Sequence, residues 1–198
     1  MSEFAPRYPV TPGDQSTATF GPTPSQTVGP YWKIGLDWGA DGENVVPADT
    51  PGRITVRITV IDGDRTPIAD AMVETWQADA DGRFGTDGFR GFARSAADET
   101  GTATVYTIKP GAHESDTDAD EAPHLNVGIF ARGMLDRLCT RLYFPEDLAA
   151  HATDPVLAAL PETQRRKLIA EKSDDGYVWT VYVQDLDPNG VETPFFAI

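Results

Sequence analysis

Residues Arg53 to Asp62 alternate strictly. Ile54, Val56, Ile58 and Val60 are apolar, and Thr55, Arg57 and Thr59 between them are polar. Successive side chains of an extended chain point to opposite faces, so this run buries one face of a sheet and wets the other. Similar runs follow. Met72 to Ala78 is a second strand with Trp76 as a large packing residue, and Thr102 to Ile108 is a third. His124 to Ala131 sets Leu125, Val127 and Ile129 on one face against His124, Asn126 and Gly128 on the other. Arg137 to Tyr143 is another, and Tyr177 to Gln184, with Trp179, Val181 and Val183, closes the series. Turn-forming stretches separate them: Asp62-Gly63-Asp64, the Gly/Asp-rich loop Asp79 to Gly91, and Lys109-Pro110-Gly111. Short strands divided by turns predict an all-β chain, an antiparallel two-sheet β-sandwich with long loops at the strand ends.

Helical periodicity is confined to Asp154 to Lys172. Asp154 is placed to cap a helix that opens on Pro155, a residue suited to the first helical position. Pro161 then separates a second short helix over Glu162 to Glu171. The fold prediction is therefore a sandwich with a short helical insert. A chain of 198 residues suits one domain with a full core. Residues 1–22, rich in Pro, Thr, Ser and Gly, read as an extended N-terminal arm, and 23–198 as the domain. Thr23 to Leu36 reads as a rigid loop anchored by Tyr31 and Trp32, and Gly39 to Gly52 as turns.

The net charge of −15 argues against partners that are themselves polyanions, nucleic acid and anionic membrane surfaces among them. An anionic small substrate would need a local cation to overcome that field. Cys139 is the one cysteine; between Leu138 and Leu142 it reads as a buried core thiol, which suits a reducing cytoplasm. Met1 to Pro12 holds no apolar run fit for a signal peptide, and no stretch has membrane-spanning length.

Candidate chemistry is sparse. The phosphate-cradling glycine loop and the Gly-x-Ser-x-Gly elbow are both absent. Asp116 to Glu121 is acidic without calcium-loop spacing and reads as a solvated loop. His151 reads as a surface residue. His113 and His124 flank the acidic loop, so strand ends could bring them together. Two histidines near tyrosines permit a metal site, and equally they permit satisfied structural histidines.

Five blocks in order carry a resemblance: Thr23-Pro24-Ser25-Gln26-Thr27-Val28-Gly29-Pro30-Tyr31, the Trp76-Gln77-Ala78 stretch running to Phe84, Tyr106 to Gly111, Ala122-Pro123-His124-Leu125-Asn126, and Arg141-Leu142-Tyr143-Phe144. Together they resemble the intradiol ring-cleavage dioxygenases, from about Thr23 to the C-terminus. Catalytic members of that family hold Fe(III) with two Tyr and two His. The resemblance puts Phe84 and His113 at the two tyrosine positions, and His124 and Asn126 at the two histidine positions. An arginine that precedes the first histidine aligns with Glu121. One ligand of four survives, so the resemblance implies a chain without its own iron, paired with a β chain that carries the Fe(III) in a hetero-oligomer of αβ protomers. It further implies that Thr27, Gly29, Pro30, Tyr31 and Arg132 line the pocket over the partner's metal, with Arg132 facing a substrate carboxylate. The implied reaction adds O₂ to 3,4-dihydroxybenzoate and yields 3-carboxy-cis,cis-muconate.

Three other readings stay open at this point. The chain could bear iron itself through His113, His124 and a tyrosine such as Tyr31 or Tyr106. It could be a small-molecule-binding sandwich without enzymatic role, or a scaffold only.

Overall fold

The computed structural model describes residues 26–27, 29, 31–114, 120–187 and 190–197; the N-terminal arm assigned to 1–22 lies outside them. Ten strands form. They are β1 (Arg53–Ile61), β2 (Met72–Trp76), β3 (Phe92–Ala96), β4 (Thr102–Ile108), β5 (His113–Glu114), β6 (Asp120–Glu121), β7 (His124–Phe130), β8 (Leu138–Tyr143), β9 (Glu171–Ser173) and β10 (Gly176–Tyr182). Two four-stranded sheets result, in the orders β4-β1-β10-β9 and β3-β2-β7-β8, while β5 and β6 pair separately. The few helices are short, so the chain is all-β.

Alternation decides which side chains enter the core. Val56, Ile58 and Val60 of β1 are fully buried, and so are Val73 of β2, Leu125 and Ile129 of β7 and Leu142 of β8; all belong to one apolar cluster. Burying a side chain of this size contributes roughly 1.5–3 kcal/mol. Residues from both sheets in a single cluster tie the two sheets together. The opposite face of the second sheet carries Glu74, Trp76, Asn126 and Arg141 and lines an open cavity of about 520 Å³.

Several expectations need correction. The sheets are not wholly antiparallel: β1 and β10 pair in parallel, with Val56 opposite Tyr177 and Val60 opposite Val181. One edge of β1 is already taken by β4, and the tight β9–β10 hairpin fixes the direction in which β10 reaches the other edge. A parallel neighbour requires a long crossover, which the intervening chain supplies. The loop reading of Tyr31 to Leu36 gives way to a helix, α1 (Tyr31–Leu36), and the turn-rich stretch holds α2 (Ala40–Glu43). Cys139 is half-buried, not a core thiol, because the β8 register turns it outward beside Arg137, whose Nε lies 3.1 Å from its Sγ. His151 is buried, not at the surface: it ends α3 (Leu148–His151) with its ring 5.7 Å from that of Tyr143.

The helical insert follows as α4 (Pro155–Ala158), α5 (Glu162–Arg165) and a 3-10 turn over Arg166–Leu168. The second helix ends earlier than expected, because Glu171 already belongs to β9. Asp154 does cap α4, with its Oδ1 accepting from the N–H groups of Val156 (2.9 Å) and Leu157 (2.8 Å). Its Oδ2 accepts from the Ala122 N–H at 2.9 Å, and the Tyr143 hydroxyl donates to Oδ1 at 3.3 Å. Asp154→Ala should lower the unfolding free energy by about 2–4 kcal/mol, from a lost cap plus an orphaned buried N–H. Urea denaturation checks this, and a loss under about 1 kcal/mol would contradict the assigned role.

Candidate functional site

The Asp79 carboxylate organises the loop that follows β2. It accepts from the N–H groups of Asp81 and Arg83, both at 2.9 Å, and from the Thr86 hydroxyl at 2.8 Å. These donors, the Arg83 N–H foremost, lower its carboxyl to about 2. The loop lies directly against the segment after Lys109-Pro110. Gly82 sits at φ +80°, and a Cβ there would fall 1.9 Å from the Ala112 carbonyl oxygen, so only glycine permits the contact. The approach delivers Phe84, whose ring stacks on Trp76 at 5.9 Å and meets the His113 ring edge-on at 4.9 Å.

His113 and Glu121 are register partners across β5 and β6, and His124 opens β7. The expectation that His113 and His124 come together is met, with ring centroids 5.1 Å apart. Between them sits a group that sequence reading left in solvent. Glu121 is buried, and its Oε2 lies 3.4 Å from His113 Nε2, 3.6 Å from His124 Nε2 and 2.7 Å from Arg141 Nη1. The Arg141 guanidinium donates to that oxygen and offsets a charge that burial would otherwise penalise heavily. His124 is almost fully buried, with Nδ1 2.8 Å from the Ala122 carbonyl oxygen. Since a carbonyl only accepts, Nδ1 carries the proton and Nε2 presents a lone pair toward Glu121. Burial first, then the Arg141 charge, lowers the His124 pKa to about 3, so the ring is neutral near pH 7.

These residues do not supply the two phenolates that the resemblance assigns to the ferric site. Phe84 offers no oxygen. Tyr143, with its ring 5.4 Å from that of His124, has its hydroxyl engaged with Asp154, and burial raises its pKa further, so it stays a phenol. Tyr106, one of the alternative ligands, lies on the first sheet with the Arg53 guanidinium 4.3 Å above its ring. Tyr31 stands in α1, largely exposed, against Gly35. Asn126 faces the open cavity on the outer face of the second sheet.

The other group of sequence-derived residues converges elsewhere. Pro30 lies outside the described residues. Thr27 Oγ1 accepts from the Gly29 N–H at 3.3 Å and from the Gly133 N–H at 2.7 Å, and Gly29 has φ +64°. The loop before α1 is therefore tied to the turn that carries Arg132. Arg132 Nε lies 3.2 Å from Asp70 Oδ2, and its side chain is 71% exposed. That oxygen has no aligned hydrogen-bond donor, so the contact is Coulombic and leaves the guanidinium free to re-aim. A cavity of about 580 Å³ adjoins Asp70, Arg132 and Gly133.

The order of motifs defines a class that comparison with known proteins bears out. A family model described as Dioxygenase matches residues 29–180, and the chain belongs to the intradiol ring-cleavage dioxygenase family, which is iron-dependent in general. More particularly, it is 37% identical over 199 residues to the protocatechuate 3,4-dioxygenase alpha chain of Burkholderia cepacia, covering 91% of this chain and 99% of that one. It is 31% identical over 160 residues to the beta chain from the same organism, covering 71% of this chain and 68% of that one. Among solved structures, the dioxygenase domain of a carbohydrate-binding fusion from Streptomyces sp. SirexAA-E superposes with a TM-score of 0.52 at 25% identity, over 84% of this chain and 99% of that one.

Removing one member of the buried charge pair should cost far more than removing both. Arg141→Met leaves the Glu121 carboxylate uncompensated, with an expected loss of about 3–5 kcal/mol. The double variant Glu121→Gln/Arg141→Met should recover most of that in the same denaturation assay. Additive losses would show that the two groups do not act as a pair.

Proposed function

We propose that this chain is the α subunit of a protocatechuate 3,4-dioxygenase, without ferric iron of its own, and that it completes the iron site of a β partner chain in a hetero-oligomer of αβ protomers. The observation that carries the proposal is the pocket around Glu121, where Phe84 offers no oxygen and Arg141 pairs with the carboxylate, in a chain similar to alpha chains over nearly its whole length. The same reading takes the two sheets as the layers of a β-sandwich, 23–198 as one domain with 1–22 as its arm, and the cytoplasm as its compartment. The shared apolar cluster supports the sandwich.

The reaction cleaves 3,4-dihydroxybenzoate between its hydroxyl-bearing carbons and incorporates both atoms of O₂. Ferric iron on the partner supplies Lewis-acid and redox chemistry to the bound catechol. This chain contributes position and charge. Both bonds at Thr27 Oγ1 use it as an acceptor, so its proton is the function left to donate to a ligand. Gly29 lets backbone approach a flat ring without a side chain between them. Arg132 offers a guanidinium to the ring carboxylate, and that local cation answers the repulsion a chain of net charge −15 exerts on an anionic substrate. Tyr31 closes the edge of the loop and helps exclude water.

In the αβ complex, Arg132→Ala should raise KM for protocatechuate about tenfold or more, the loss of one charge-assisted contact, and leave neutral catechol within about twofold. Steady-state O₂ uptake on the two substrates reads the difference. Equal losses on both would remove Arg132 from the carboxylate, and unchanged parameters for Arg132→Ala and Thr27→Ala alike would favour a scaffold role.

A further inference from the structure

We propose that His113, Glu121 and His124 form a divalent-cation site of the zinc type in this chain, with the two imidazole Nε2 atoms and a Glu121 carboxylate oxygen as ligands and water in the fourth position. The ligand atoms of the three residues all lie within 4.8 Å of one another, and two of the three residues are buried. The separations from Glu121 Oε2 to the two Nε2 atoms are 3.4 and 3.6 Å. Metal bonds of about 2.0–2.2 Å in a tetrahedron set ligand atoms about 3.3–3.6 Å apart, so the Glu121 oxygen stands from each ring nitrogen at the spacing of two ligands on one ion.

The hydrogen bonds around the cluster are those a metal site uses. His124 donates its Nδ1–H to the Ala122 carbonyl, which fixes the ring and aims the Nε2 lone pair inward. Arg141 donates to the Glu121 carboxylate, as an outer partner commonly does for a ligating carboxylate.

Arg141 also works against the site, because its charge raises the cost of a second cation nearby. That selects for an ion that bonds strongly to imidazole. Zinc, cobalt and ferrous iron suit two nitrogens and one carboxylate; calcium and magnesium require mostly oxygen donors. A cation here would tie the β5–β6 pair to the start of β7. The His113 side chain, 14% exposed, gives it a route in.

This proposal goes beyond the subunit reading and does not rest on it. The full chain, freed of metal with a chelator that is then removed, is titrated with Co²⁺ and back-titrated with Zn²⁺. The expected result is one equivalent per chain, with the visible bands of tetrahedral Co²⁺, displaced by Zn²⁺ and by neither Ca²⁺ nor Mg²⁺. His113→Phe and Glu121→Gln, each checked for native circular dichroism, should weaken binding at least about 100-fold. Folded chain that takes up no Co²⁺ or Zn²⁺, or uptake undiminished in both variants, overturns the site. Neither outcome touches the subunit reading, whose own failure would appear as ferric iron and ring cleavage in the lone chain.

Discussion

A carboxylate cut off from water must collect hydrogen bonds, and Asp154 collects them from three separate parts of the chain. Its bonds to Val156 and Leu157 start α4, its bond to Ala122 holds the segment entering β7, and its bond to Tyr143 fixes the end of β8. It is fully buried, so each lost donor would leave desolvation uncompensated. The helical insert is thereby locked to the wall of the histidine pocket. Ala122 in turn orients His124 through its carbonyl, which links the cap of a short helix to the tautomer of a ring two residues further along β7.

Around that node the pocket pairs its own charges. Here Phe84 brings a phenyl ring against His113, and a buried carboxylate sits between the histidines with a guanidinium upon it. The residues with a claim on substrate lie apart from this pocket, where Thr27 binds the turn next to Arg132.

Much of this was legible because period two is a strong signal. The runs at Arg53, Thr102 and His124 start their strands where the alternation starts. The cap at Asp154 and the meeting of His113 with His124 were also readable. The strand Phe92–Ala96 was not: Phe92 and Arg94 share its partly exposed face and Ala93 and Ser95 its buried one, so small residues hide the alternation. Glu121 looked solvated because it ends an acidic run, and only its pairing with His113 turns it inward. Its partner Arg141 is twenty residues away in sequence, and strand register alone brings them together. Cys139 and His151 misled for a related reason, since apolar neighbours along the chain do not reveal which face of a strand or helix meets the core. The parallel pairing of β1 with β10 depends on a long crossover, which local pattern does not encode.

The central claim is that this chain builds half of a site whose iron belongs to another. The most direct measurement is iron content together with protocatechuate-dependent O₂ uptake, for the chain purified alone and then co-expressed with a β chain. The account predicts a lone chain with neither ferric colour nor ring cleavage, and a complex with one iron per αβ pair and full activity. Stoichiometric ferric iron and ring cleavage in the lone chain would contradict it, and would return His113 and His124 to the role of iron ligands.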